Sequence, residues 1–149
     1  VINGDFDLPP FNNPPQGWFL DPAVVPPNIN AGSIPSTLQT GNAYRINLEN
    51  TANSLTIAQS GLTGFGCRGV ASRVGFYFAV TDGCALRVVF GFTDVGVFQT
   101  TNGIWARYEN VASLVDNTLT LYFTAQPATA GAVVDCSVFI DNVVIARQG

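Results

Sequence analysis

The chain contains no histidine, no methionine and no lysine, and its six basic residues are all arginine. Without histidine, Ser–His–Asp and Cys–His nucleophile pairs are excluded, and so is the commonest zinc ligand. Six scattered arginines in a chain of net charge −4 do not supply the basic field that phosphates require, so no nucleic-acid partner is expected. Charged residues are only 11% of the chain, against a usual value of about 25%. No apolar run approaches the roughly 18 residues of a membrane span, so a soluble protein with no membrane partner is expected. Helical periodicity is missing too: nowhere do apolar residues recur at helix spacing for three turns.

What is present is 47% hydrophobic residues in 149, ample to offset the ordering entropy of a packed core and a length that suits one domain. Residues 1–149 are read as that single domain. Eight of the nine prolines lie between Pro9 and Pro35. Such a stretch cannot be helix or central strand. It is read as an ordered surface loop over 9–35, pinned to the core by Phe11, Trp18 and Phe19.

Beyond Gly41 the chain reads as strands separated by turns. The expected strands are Ala43–Leu48, Ser54–Gln59, Val70–Val80, Cys84–Phe92, Ile104–Val111, Thr118–Thr124 and Cys136–Ala146. Val74, Phe76, Phe78 and Val80 share one face of their strand, and Leu86, Val88, Phe90 and Phe92 share one face of the next. Thr81-Asp82-Gly83 is a turn signal between them. For the strand around Trp105 both registers are open, because Trp105–Arg107–Glu109 and Ile104–Ala106–Tyr108 are equally mixed. Short strands with period-two faces imply an all-β sandwich or barrel.

The two ends of the chain carry a recognisable pair of motifs. Val1-Ile2-Asn3-Gly4-Asp5-Phe6-Asp7 opens it, followed by Gly17-Trp18; Val138-Phe139-Ile140-Asp141-Asn142-Val143-Val144-Ile145 closes it. Together these resemble the galactose-binding-like jelly roll of CBM4/9-type carbohydrate-binding modules, which open with N-G-x-F-E and G-W and close with an I-D-x-V strand. The order is also similar to that of DUF642-type cell-wall domains, in which a Cys precedes the closing motif. The resemblance spans nearly the whole chain and implies a jelly-roll β-sandwich of two antiparallel sheets. Asp7 stands where the family usually has Glu.

The resemblance also implies a structural calcium ion beside the opening and closing strands, with Asp7 and Asp141 at the matching positions. Asp5, Asn3, Glu49 and Asn47 are candidates to complete the oxygen shell that calcium prefers. The alternative is that Asp141 hydrogen-bonds the first strand's backbone without a metal. For glycan binding, sugars need exposed aromatic rings for their C–H faces and polar groups for their hydroxyls. With the Phe-rich faces inward, Tyr77, Tyr122, Arg73, Arg87 and Arg107 fall on the opposite faces and are the candidate ligand residues. Trp18 and Trp105 are read as packing residues. The Pro9–Pro35 and Phe92–Gly103 loops are a second place for a ligand.

A hydrolase would need an acid and a second carboxylate about 5–10 Å apart in a cleft. The chain has two Glu, Glu49 and Glu109, and eight Asp, most in turn-like contexts such as Asp82-Gly83, and nothing singles out a pair.

The Asn, Thr, Ser and Gly richness, with so little charge, looks like a secreted or cell-surface protein. Cys67, Cys84 and Cys136 then make one disulfide and leave one thiol. If each strand from Ser54 onward reverses the one before, Cys67 and Cys136 share an end of the sandwich, making them the preferred pair. Cys67–Cys84 is the rival.

The leading expectation is a non-catalytic carbohydrate-binding module that docks onto a polysaccharide or glycan, alone or as part of a larger enzyme or surface protein. The alternatives are a structural or adhesive extracellular subunit that self-assembles, suggested by the absence of edge-protecting lysine, and a small polysaccharide-acting enzyme.

Overall fold

Alternating side chains build every long strand of this protein. In the computed structural model, which describes residues 4–7, 14–37, 41–60, 71–91, 93–113 and 120–147, ten strands follow in chain order. They are β1 (Phe19–Asp21), β2 (Ile29–Pro35), β3 (Asn42–Thr51), β4 (Leu55–Gln59), β5 (Ala71–Val80), β6 (Cys84–Phe90), β7 (Thr93–Phe98), β8 (Ala106–Ser113), β9 (Leu121–Pro127) and β10 (Val134–Arg147). They form two five-stranded sheets. The first has the order β1-β4-β9-β6-β7 and the second β2-β3-β10-β5-β8, and all pairings are antiparallel. No helix of the described residues is long and apolar enough to cross a membrane.

The inward faces follow the expected alternation. Tyr44, Ile46 and Leu48 of β3, Leu55 and Ile57 of β4, Val74, Phe76 and Val80 of β5, Leu86 and Val88 of β6, and Leu121 and Phe123 of β9 are all buried. Phe76 of the second sheet meets Phe123 of the first edge-to-face at 5.1 Å and Phe98 at 5.6 Å. These rings join the two layers, and burying each contributes roughly 1.5–3 kcal/mol. At the other end Phe6 stacks on Trp18 at 5.3 Å, and Trp18 reaches Phe123 at 6.1 Å. The open register of β8 is resolved by packing. Tyr108 stacks on Phe76 at 5.3 Å, so Trp105, Arg107 and Glu109 face outward.

The Pro-rich stretch is not a loop throughout. It contains β1 and β2, each at an edge of its sheet. An edge strand has a row of N–H groups facing solvent and tolerates proline there. Trp18 packs in the core as expected, whereas Phe19 is 40% exposed and points away from it. Phe11 lies outside the described residues. The segment expected to be the Phe92–Gly103 loop holds a third edge strand, β7.

That strand corrects the disulfide. Cys84 is bonded to Cys136, with Cα atoms 5.7 Å apart, and not Cys67, which lies outside the described residues. Counting reversals without β7 puts Cys136 at the wrong end of the sandwich. With β7 included, β9 runs antiparallel to β6 and Pro127 pairs with Cys84. The next connection therefore returns Cys136 to the Cys84 end. The bridge ties β6 of the first sheet to β10 of the second.

Candidate functional site

With the core filled, each sheet presents its other face outward. On the first sheet, Leu121, Phe123 and Ala125 are buried, so β9 directs Tyr122, Thr124 and Gln126 away from the core. Ala58 of β4 pairs with both Phe19 of β1 and Tyr122 of β9. Two aromatic rings therefore flank one small, fully covered residue, about 10 Å apart across two strand spacings. One row along, Thr56 and Thr124 pair with their hydroxyls 2.7 Å apart. Thr124 in turn pairs with Arg87. The Arg87 guanidinium stands 3.5 Å from Asp94, and both side chains are about half exposed. At the end of β4 and β9 a shallow cavity of about 340 Å³ opens, lined by Ser54, Gln126, Pro127, Ala128 and Gly131 among others. This face combines flat apolar rings with hydroxyl, amide, guanidinium and carboxylate groups, the set that recognises a sugar's two kinds of surface.

The outward face of the second sheet carries Tyr77, Arg73 and Arg107. Arg107 lies over the Tyr77 ring, 5.5 Å from its centre, and pairs with it across β5 and β8. The Glu109 carboxylate takes Arg73 on one oxygen at 2.5 Å and Arg107 on the other at 2.6 Å. Trp105 packs on Phe139 at 6.1 Å and donates its ring N–H to Thr37 Oγ1 at 2.9 Å.

The five candidate ligand residues are thus divided between the two sheets. Tyr122 and Arg87 lie on the first sheet, and Tyr77, Arg73 and Arg107 on the opposite side of the sandwich. Alternation tells which side of its own strand a residue occupies. It does not tell which sheet the strand joins, and the chain changes sheets at the Thr81–Cys84 turn between β5 and β6. Phe19 was missed as an outward residue because its prolines disguised β1, although Trp18-Phe19-Leu20 has the buried–exposed–buried alternation of a strand.

The acidic residues of the opening and closing motifs do come together. A bulge in β10 between Asp141 and Val144 lets Val143 donate its N–H to the Gly4 carbonyl at 2.8 Å. Asp141 is fully buried. Its carboxylate accepts from the Asn142 N–H at 2.8 Å and the Ser36 hydroxyl at 3.1 Å; residues 1–3 of the opening motif lie outside the described residues. Burial pushes its pKa up to about 6, with the nearby Asp7 and Asp5 charges adding to the rise. Asp7 accepts from the Asn42 N–H at 2.5 Å. Gly41 has a φ of +103°, and a Cβ there would stand 2.6 Å from both Asp7 oxygens, so only glycine fits. Among the described residues no three acidic, Cys or His side chains converge tightly enough to enclose a metal by themselves. The donors are hard oxygens, as calcium requires, and carbonyls or water would have to complete the shell. The two Glu are engaged elsewhere: Glu109 between its arginines, and Glu49 by the Asn47 and Asn30 amides.

No protein-family profile matches the chain, and no curated protein matches it in sequence. Solved structures do match. A CBM61 module in complex with β-1,4-galactotriose has a TM-score of 0.68 at 14% identity, over 99% of this chain and 97% of its own. A CBM4 structure has a TM-score of 0.64 at 16% identity, with 99% of both chains covered. The chain has the jelly-roll fold of carbohydrate-binding modules. It also matches the CBM22-1–GH10 modules of Clostridium thermocellum endo-1,4-β-D-xylanase 10B complexed with xylohexaose, with a TM-score of 0.61 at 13% identity over 96% of this chain. There it spans only 28% of the larger protein.

Proposed function

We propose that the chain is a non-catalytic carbohydrate-binding module that docks onto a polysaccharide through the outer face of its first sheet. The observation that carries this reading is the pair Phe19 and Tyr122 flanking Ala58 in register on an exposed face. Sugar rings stack on the aromatics through their C–H faces, while Arg87, Asp94 and Thr124 hydrogen-bond the hydroxyls. Support from the fold comes from the binding modules with which it is shared, one in complex with a galactotriose and one complexed, as part of a xylanase, with xylohexaose. Within that group the opening and closing motifs favour a CBM4/9-type or DUF642-type relationship. A module of this kind raises the local concentration of a linked enzyme or surface at its polymer. The disulfide supports a secreted or extracellular location.

Calcium would fit as a structural ion beside the opening segment and β10, with Asp141, Asp7 and Asp5 supplying carboxylate oxygens. Its charge would offset the repulsion that these groups exert on one another.

The test is a binding screen against neutral polysaccharides, with calcium and with chelator. Tyr122→Ala and Phe19→Ala are each expected to weaken binding about tenfold, the effect of ~1.4 kcal/mol. Full affinity in both variants would remove the first-sheet face as the site.

A further inference from the structure

The cavity at the end of β4 and β9 has a different chemistry from the aromatic row beside it. It lies between two connections that cross from one sheet to the other, residues 52–54 from β3 to β4 and residues 128–133 from β9 to β10. No charged group and no aromatic ring lines it. The methyl groups of Ala52, Ala128 and Ala130 surround two polar side chains, Ser54 and Gln126. Its volume of about 340 Å³ stands at the small end of the roughly 300–1,000 Å³ of small-ligand pockets, which suits one sugar unit and not a length of polymer. The walls are fixed before any ligand arrives. Ala128 donates its N–H to the Gly83 carbonyl at 2.8 Å, and Ala132 to the Thr129 carbonyl at 3.0 Å. Pro127 pairs with Cys84, and the Cys84–Cys136 bridge ties that pairing to β10 beyond the connection. On the other side the Asn53 N–H is held by Thr51 Oγ1 at 3.1 Å. A preformed cavity loses little freedom on binding. Gly131 has a φ of +80°, and a Cβ there would meet no atom within 4 Å, so the space beside it is open to a ligand. Gln126 belongs to the same outward row of β9 as Tyr122 and Thr124, four residues or about 13 Å from Tyr122. A glycan seated on the aromatic row can therefore reach the cavity along β9.

We infer that this cavity is a subsite for an acetylated sugar unit, in which Gln126 and Ser54 hydrogen-bond the acetyl carbonyl while Ala52, Ala128 and Ala130 take its methyl group. The inference rests on the reading of the chain as a glycan-binding module and names a decoration that its polymer carries. A bare sugar edge presents several hydroxyls and needs a partner for each, whereas an acetyl group is one acceptor oxygen and one methyl. Two donor side chains among methyl groups match that pair, and the absence of charge in the lining suits a neutral substituent. The acetamide of an amino sugar and the O-acetyl ester of a plain one share this chemistry.

The test uses two pairs of probes with the intact, disulfide-bonded chain. One pair is O-acetylated xylan and the same xylan after alkaline deacetylation. The other is N-acetylated chitotriose and cellotriose, the same backbone without the acetamido groups. Wild type is expected to bind one acetylated probe about tenfold more tightly than its counterpart, the effect of one methyl group removed from water together with one hydrogen bond. A preference within the xylan pair identifies the ester, and one within the trisaccharide pair the acetamide. Ala130 is exposed, so Ala130→Leu fills the cavity without touching the core. It should abolish the preference and leave binding of the unacetylated probe unchanged. Ser54→Ala/Gln126→Ala should reduce the preference severalfold. Thermal unfolding verifies that each variant is folded. Equal affinity within both pairs overturns the inference, as does binding of none of the four probes or a preference that survives undiminished in either folded variant. Tyr122-dependent binding without any acetyl preference overturns it and leaves the first-sheet reading intact. An acetyl preference that depends on the cavity, with binding that Phe19→Ala/Tyr122→Ala does not weaken, supports it and overturns the first-sheet site instead.

Discussion

Asp141 shows how one residue couples fold to conditions. Its folded pKa, about 6, lies above the ~3.9 of an unfolded Asp. Between those values the folded state holds the extra proton. Its contribution to stability is therefore complete below about pH 4, falls as pH rises through about 6, and is lost above. A shift of about two units corresponds to roughly 3 kcal/mol as an upper bound. Denaturant unfolding in chelator from pH 4 to 7 is expected to show this decline in wild type, superimposed on other titrations. Asp141→Asn should lack it, and an unchanged slope in that variant would contradict the assignment. Millimolar calcium should flatten the wild-type decline, because the ion favours the carboxylate. Gly41→Ala is expected to destabilise the protein and weaken any calcium effect, since its Cβ displaces Asp7. The aspartates were legible in the sequence only as a motif pair at its two ends. Their convergence needs the β10 bulge, and bulges leave no periodic trace.

Among the elements, seven strands were readable because each buries an alternating apolar face. β1, β2 and β7 were not, for one shared reason. All three are edge strands that contain or adjoin Pro or Gly, which dilutes the alternation; the fourth edge strand, β8, contains neither and was read. Missing β7 had a consequence beyond itself, because a single uncounted reversal assigned Cys136 to the wrong end. Non-reducing peptide mapping is expected to find Cys84 joined to Cys136, with the bridge surviving Cys67→Ser. Cys84→Ser/Cys136→Ser should cost about 2–4 kcal/mol in denaturant unfolding, since the bridge closes a loop of 52 residues and ties the two sheets together. A cost near zero would mean that the packed aromatics alone hold the layers.

For the molecule as a whole, the sandwich turns one chain into two independent surfaces. Its core uses the Phe-rich faces, leaving Tyr122 with Phe19 outward on one side and Tyr77 with Arg107 outward on the other. The composition made the residue types of a sugar site visible, but the division between sides depends on which sheet each strand enters. Long-range pairing decides that, and no local pattern encodes it. A self-assembling subunit would make different use of the same exposed edges. It predicts a size that grows with concentration, whereas a docking module sediments as a monomer.

The central claim is that the Phe19–Tyr122 face binds glycan. Its most direct test is titration calorimetry of a neutral polysaccharide identified by the screen, comparing wild type with Phe19→Ala/Tyr122→Ala. The account predicts saturable binding by wild type and a loss of about a hundredfold or more in the folded double variant, roughly twice the ~1.4 kcal/mol of each ring. Undiminished binding in that variant would contradict it.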